Sequence, residues 1–125
     1  MNLRSASHTL SVLDLRLIDS IRSLNSEGRP DLLAELVGIF SETTPALLGS
    51  LDDCIVAGNA PMVQRVAHRL KGASGNVGAR YMSRLCSELE SLVRESPAET
   101  LEFKRFSAEI RSAFNESLGA LSSLL

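Results

Sequence analysis

From Leu33 to Ile55 the chain returns an apolar or small side chain every three or four positions, through Leu33, Leu36, Val37, Phe40, Thr44, Leu47, Leu48, Leu51 and Ile55. A period near 3.6 places all of these on one stripe of a helix, and that stripe has to be buried against other helices. Pro45 leaves the phase unchanged. The pattern therefore predicts one long helix bent near Thr44 and Pro45, although an interior proline costs about 3 kcal/mol. Pro30 fits the first turn of this helix, where a missing N–H costs nothing.

The same period fills the rest of the chain. Leu17, Ile18, Ile21 and Leu24 form a short amphipathic helix that Asp14 caps and Gly28 ends. Gly58 stops the long helix, and Asn59 caps a third, with Pro61 in its first turn. That third helix ends in the stretch GNVG at 75–78. A fourth begins near Arg80 along Met82, Leu85, Cys86, Leu89, Leu92 and Val93. The stretch SPAE at 96–99 reads as a capping box opening a last helix along Phe103, Phe106, Ile110, Phe114, Leu118 and Leu121. No stretch alternates like a strand. Long amphipathic helices on short connections predict an all-α fold, an antiparallel four-helix bundle with the short first helix packed over one end. Residues 1–11 are polar and read as a flexible tail, leaving 12–125 as a single helical domain.

Composition narrows the function classes. Hydrophobic residues are 44% and charged residues 22%, values of an ordinary globular domain rather than a disordered chain. A net charge of -2 gives no general attraction to nucleic acid, so the expected partner is a protein. Cys54 and Cys86 fall in core phase and read as two reduced, buried thiols. The first ten residues lack the apolar run of a signal peptide, and no run approaches the ~18 uninterrupted apolar residues of a membrane span, so a cytoplasmic location is expected.

The chemistry lies in HRLKGASGNVG, residues 68–78. At about 100° per residue, Val63, Val66, Leu70, Ala73 and Val77 share one side of the third helix, and His68 lies opposite. Gln64 and Arg65 precede it by one turn; Lys71 and Gly72 follow by one turn and Gly75 by two. Gly75 and Gly78 can each be helix-terminal punctuation, whereas Gly72 lies inside the helix on its outward side. There glycine gives clearance for another macromolecule to approach the imidazole, and Lys71 can hold negative charge beside the ring. A neutral imidazole is a usable nucleophile near neutral pH without an adjacent base. Phosphoryl transfer needs mainly positioning and charge stabilisation. No nucleotide-binding glycine loop or kinase-like set of acids is present, so the remaining catalytic parts are expected on partners. His8 has no partners and no ligand spacing with His68, and no metal site is read in the chain.

The stretch AHRLKGASGNVG, continued by ARYMSRLCSELE, resembles the signature of histidine-containing phosphotransfer (HPt) domains of phosphorelays. The likeness runs from about Val12 onward. It implies a four-helix bundle without kinase activity of its own, a carrier in which His68 takes a phosphoryl group on Nε2 from a receiver-domain aspartate and hands it to another. By the same resemblance Lys71 neutralises the phosphate, Gly72 admits the receiver's acidic site and Ser74 continues the small-residue pattern. Glu90, on the next helix, matches the position that accepts a hydrogen bond from the other ring nitrogen; Glu88 is its neighbouring alternative. Arg65, Arg69 and Arg80 are implied receiver contacts, joined by Gln64 and Gly75 on the same face. Magnesium is implied in the receiver, with no cofactor in this chain, which is expected to be a monomer. A module that docks on a partner through this face without phosphate would carry the same residues.

Overall fold

A computed structural model describes residues 12–24 and 31–125. Among these residues five helices follow in chain order: α1 Leu15–Ser23, α2 Leu32–Val56, α3 Ala60–Asn76, α4 Arg80–Glu95 and α5 Thr100–Ser122. Each of α2 to α5 packs on the next, and α5 closes the ring against α2. This is the expected four-helix bundle. The tail at 1–11 lies outside the described residues, as does His8.

Short polar side chains set three of the helix starts. Asp14 Oδ1 accepts from the Leu17 N–H at 3.2 Å, Asp31 Oδ1 from Leu33 N–H at 3.0 Å and Asn59 Oδ1 from Met62 N–H at 3.2 Å. Each satisfies a backbone donor that has no partner within the helix. Because Asp31 is the cap, the first turn of α2 lies after Pro30, which is outside the described residues. The first helix likewise ends earlier than expected: Leu24 is its C-cap and is 69% exposed, so it leaves the apolar face, and Gly28 lies outside the described residues.

Helix α2 runs unbroken through Pro45. Pro45 is exposed while Thr44 is buried, so the carbonyl of Ser41 that loses its helical donor lies on the outer side of the helix. By length and composition α2 is apolar enough to cross a bilayer. Here Leu33, Val37, Phe40, Leu48, Leu51 and Ile55 instead fill the bundle core.

Gly58 and Gly78 end α2 and α3 alike. Both have positive φ, 67° and 77°, and in each case the next residue's N–H bonds five residues back, Asn59 to the Cys54 carbonyl and Ala79 to the Ser74 carbonyl. This left-handed cap satisfies the last carbonyls of the helix and suits glycine, which has no Cβ to clash. Gly78 is also where α1 docks. Its carbonyl accepts from the Asp14 N–H at 2.8 Å, and a Cβ there would stand 3.1 Å from Ile18 Cγ1. At its other end α1 is held by Arg22, whose guanidinium donates to the Leu124 carbonyl at 2.7 Å. In an antiparallel bundle the ends of α3 and α5 lie together, so α1 does pack over one end.

SPAE is not a capping box. Ser96 closes α4, Glu99 N–H bonds to the Ser96 carbonyl at 3.1 Å, and α5 starts only at Thr100, with no side-chain cap. Proline at the second position of a four-residue turn explains the sequence equally well, and the short link between α4 and α5 demands a turn there.

Candidate functional site

The phase of α3 decides which of its side chains meet solvent. Val63, Val66, Ala67, Leu70 and Ser74 are buried, whereas Ala73 is only half-buried. His68 is turned out, its side chain 65% exposed. The ring stands at the flank where α3 meets α4, within reach of Glu90 from the neighbouring helix. His68 Nδ1 lies 3.1 Å from Glu90 Oε2 and 3.3 Å from Oε1. Lys71, one turn along α3, places Nζ 3.0 Å from Glu90 Oε1. The carboxylate itself is buried, with its side chain 11% exposed. Glu88, two residues earlier on α4, instead pairs with Arg84 at 3.8 Å.

Burial by itself pushes the Glu90 carboxyl up, but the Lys71 ammonium and then His68 pull it down further, leaving it below its ordinary value. Glu90 is therefore ionised at neutral pH. An ionised carboxylate only accepts hydrogen bonds, so the imidazole nitrogen facing it has to carry its proton. In the neutral ring this leaves the lone pair on Nε2, on the side of the ring away from Glu90.

The lowered carboxyl also links stability to pH. Since the folded value lies below the unfolded one, the stabilisation is complete above the ordinary carboxylate range and is lost as pH falls through the folded value. The stability difference between wild type and Glu90→Gln, measured by urea unfolding, is expected to be largest at neutral pH. It should shrink steadily below about pH 4.3, the reference value for a glutamate.

Beside His68 an open groove of about 670 Å³ is lined by Pro61, Met62, Gln64, Arg65, Val66, Arg69 and Glu90. Gln64 and Arg65 thus share the histidine's surroundings as their spacing predicted, and Arg69, named from the resemblance, lines the same groove. Met62, 41% exposed, was not among the candidates; its position three before Arg65 and seven before Arg69 was the available signal. Gly72 is exposed, and no atom lies within 4 Å of where a Cβ would stand.

Three expected contacts are placed elsewhere. Ser74 is fully buried and its hydroxyl donates to the Leu70 carbonyl at 2.7 Å, so it cannot touch a partner. The reason is phase: seven residues after Ala67 and four after Leu70, it falls on the core stripe. Gly75 is half-buried and faces Ser83 Oγ of α4, 3.6 Å from where its Cβ would be. Arg80 joins Gly75 and Gly78 in a separate groove near Asp14, not in the groove at His68.

Both cysteines are free and buried. Burial raises both thiols, that of Cys86 to about 12, so they stay protonated and act as core residues. Among the described residues no three His, Cys, Asp or Glu side chains gather as metal ligands.

The sequence model of the Hpt domain matches residues 35–123, which hold nearly all of α2 to α5. The chain belongs to the Hpt domain family. Histidine-containing phosphotransfer protein 5 of Arabidopsis thaliana is 26% identical over 107 residues, covering 76% of this chain and 68% of its own. The histidine-containing phosphotransfer domain of ArcB from Escherichia coli has the same fold, with a TM-score of 0.79 at 19% identity over 93% of this chain and 94% of that one. Histidine-containing phosphotransfer protein B of Pseudomonas aeruginosa PAO1 superposes with a TM-score of 0.60 at 28% identity, over 86% and 94% of the two chains. This Hpt domain accordingly has a phosphorelay role in histidine phosphotransfer.

Proposed function

We propose that His68 is the phosphate carrier of this domain, loaded on Nε2 by the aspartyl phosphate of one receiver domain and unloaded to the aspartate of another. One observation carries the reading: the ring is exposed while a buried, ionised carboxylate occupies its Nδ1 side. This arrangement supports an outward lone pair held in a fixed direction, which is what attack on phosphorus requires. Lys71 is close enough to turn toward a phosphoryl group on the ring, and Gln64, Arg65, Arg69 and Met62 offer the receiver a surface beside it. On this reading the phosphate arrives already activated on a receiver, and magnesium belongs to that receiver's acidic pocket. The reading places the domain in the cytoplasm, acting as a monomer.

The test is transfer of labelled phosphate from phosphorylated receiver domains, tried one by one. Label should reach this chain from at least one receiver, be acid-labile as a phosphohistidine is, and move on to a second receiver.

Gly72 separates docking from folding. Open space around it means alanine fits without strain, and the change should stabilise the helix by roughly 0.5–1 kcal/mol. If clearance for the receiver is its purpose, Gly72→Ala will unfold at higher urea concentration yet accept phosphate more slowly. Unchanged transfer in the stabilised variant would remove that role.

A further inference from the structure

Resting on the reading that His68 exchanges phosphate with receiver domains, we propose that Asp53 of α2 is a specificity residue, selecting receivers that carry a cationic side chain about one helix spacing away from their acidic phosphate pocket. The charges of this domain are sorted by helix. Helix α2 holds Glu35, Glu42, Asp52 and Asp53 and no lysine or arginine, whereas α3 holds Arg65, Arg69 and Lys71 and no acid. The two consecutive aspartates of α2 part ways. Asp52 turns to α5, where it meets Arg111 at 2.7 Å and accepts from the Ser107 hydroxyl. Asp53 turns to the other side and lines a groove of about 380 Å³ between α2 and α3.

This groove continues the one beside His68, since Met62, Val66 and Arg69 line both. A partner seated over His68 therefore extends onto α2. The lining is apolar in the middle, with Leu47 and Cys54 from α2 and Met62 and Val66 from α3, and oppositely charged at its walls, where Asp53 stands on α2 and Arg69 on α3. Polar groups of the lining are satisfied within the domain: the Cys54 thiol donates to the Ser50 carbonyl at 2.7 Å, and Asn59 Oδ1 accepts from the Met62 N–H. Asp53 and Arg69 are both exposed, and among the described residues no ion pair joins them; the pairs on these helices are Lys71 with Glu90 and Asp52 with Arg111.

The cations of α3 attract a receiver's acidic pocket, and the acids of α2 repel it. A receiver that is acidic across its whole contact surface is pushed off α2 and loses the apolar groove. One that carries a lysine or arginine roughly 8–10 Å from its pocket, the distance between packed helix axes, meets Arg65 and Arg69 with one part and Asp53 with the other. A like charge placed against Asp53 costs more than a matched, exposed pair gains, so Asp53 acts chiefly by rejecting wrong partners.

The experiment takes the receiver domains of the source organism, phosphorylates each, and measures the initial rate of label transfer to the intact wild type, Asp53→Asn and Asp53→Lys. From the preferred receiver, Asp53→Asn should slow transfer about two- to fivefold, the worth of one exposed charge pair, and Asp53→Lys about tenfold or more. The difference from wild type should close in 1 M salt, where screening acts beyond about 3 Å. Changing one lysine or arginine near that receiver's acidic pocket to aspartate should slow wild type and restore transfer to Asp53→Lys. Unchanged rates and order of preference in Asp53→Lys overturn the inference while leaving His68 as carrier, and so does a loss that salt does not relieve, which marks a structural role. A change confined to self-association in sedimentation, with transfer unmoved, gives the groove to a second copy of the chain and also overturns it. If Asp53→Lys does not fold, Asp53→Asn and its salt dependence decide. Phosphoramidate, which needs no receiver, tests the carrier separately: no phosphohistidine at His68 in wild type removes that reading and this inference with it.

Discussion

His68→Gln is expected to leave a folded domain that takes up no phosphate from any receiver. The side chain is 65% exposed and among the described residues its polar contacts are with Glu90, so the bundle core is untouched and the stability change should stay within about 1 kcal/mol. The glutamine amide can still lie beside Glu90, but it has no nucleophilic nitrogen. Removing the attacking atom eliminates the covalent route through His68 rather than slowing it, a different outcome from the partial losses expected when positioning groups are changed. The check combines label transfer with helical circular dichroism on the same sample. Label retained at the wild-type level would move the carrier elsewhere. A variant that takes no label but still binds and controls its receiver would make docking, not phosphate, the primary role.

The largest loss of stability is expected from Phe40→Ala. Phe40 is 2% exposed near the middle of the core and meets Phe114 edge to face, with ring centroids 5.1 Å apart. This contact joins α2 to α5, the pair that closes the bundle. Truncating a buried phenylalanine costs about 3–5 kcal/mol, because the transfer energy of the ring is lost and a cavity remains. The total stability of a domain is typically about 5–15 kcal/mol, so the variant should lie near the edge of folding. Urea unfolding is expected to show a midpoint shifted far down. A shift corresponding to less than about 1 kcal/mol would mean that the α2–α5 interface repacks and does not depend on this ring pair.

These two substitutions also mark what could be read in one dimension. Phe40 declares itself by its place in a repeating stripe, and His68 by being out of phase with Val66 and Leu70. Both follow from the 3.6-residue period, which a helix imposes on its own sequence whatever packs against it. Ser74 shows where the resemblance and the period part: the resemblance implies it as part of the small-residue pattern beside His68, yet it falls on the core stripe, and its hydroxyl bonds to the carbonyl four residues back and so can be buried. The turn at 96–99 was misread for a related reason. Serine followed by proline suits both a helix start and a tight turn, and only the short path from α4 to α5 chooses between them.

The number of long helices, their inner faces and the outward histidine were therefore settled by the order of the residues, since each is a property of a single helix. What the tertiary structure decided is the company His68 keeps. Glu90 lies 22 residues away, and whether it or Glu88 meets the ring depends on how α4 is rotated and raised against α3. The same packing gives Glu90 its burial and brings Lys71 onto the same oxygen. Rotation and height between helices come from interlocking side chains on both surfaces, and no local period encodes them.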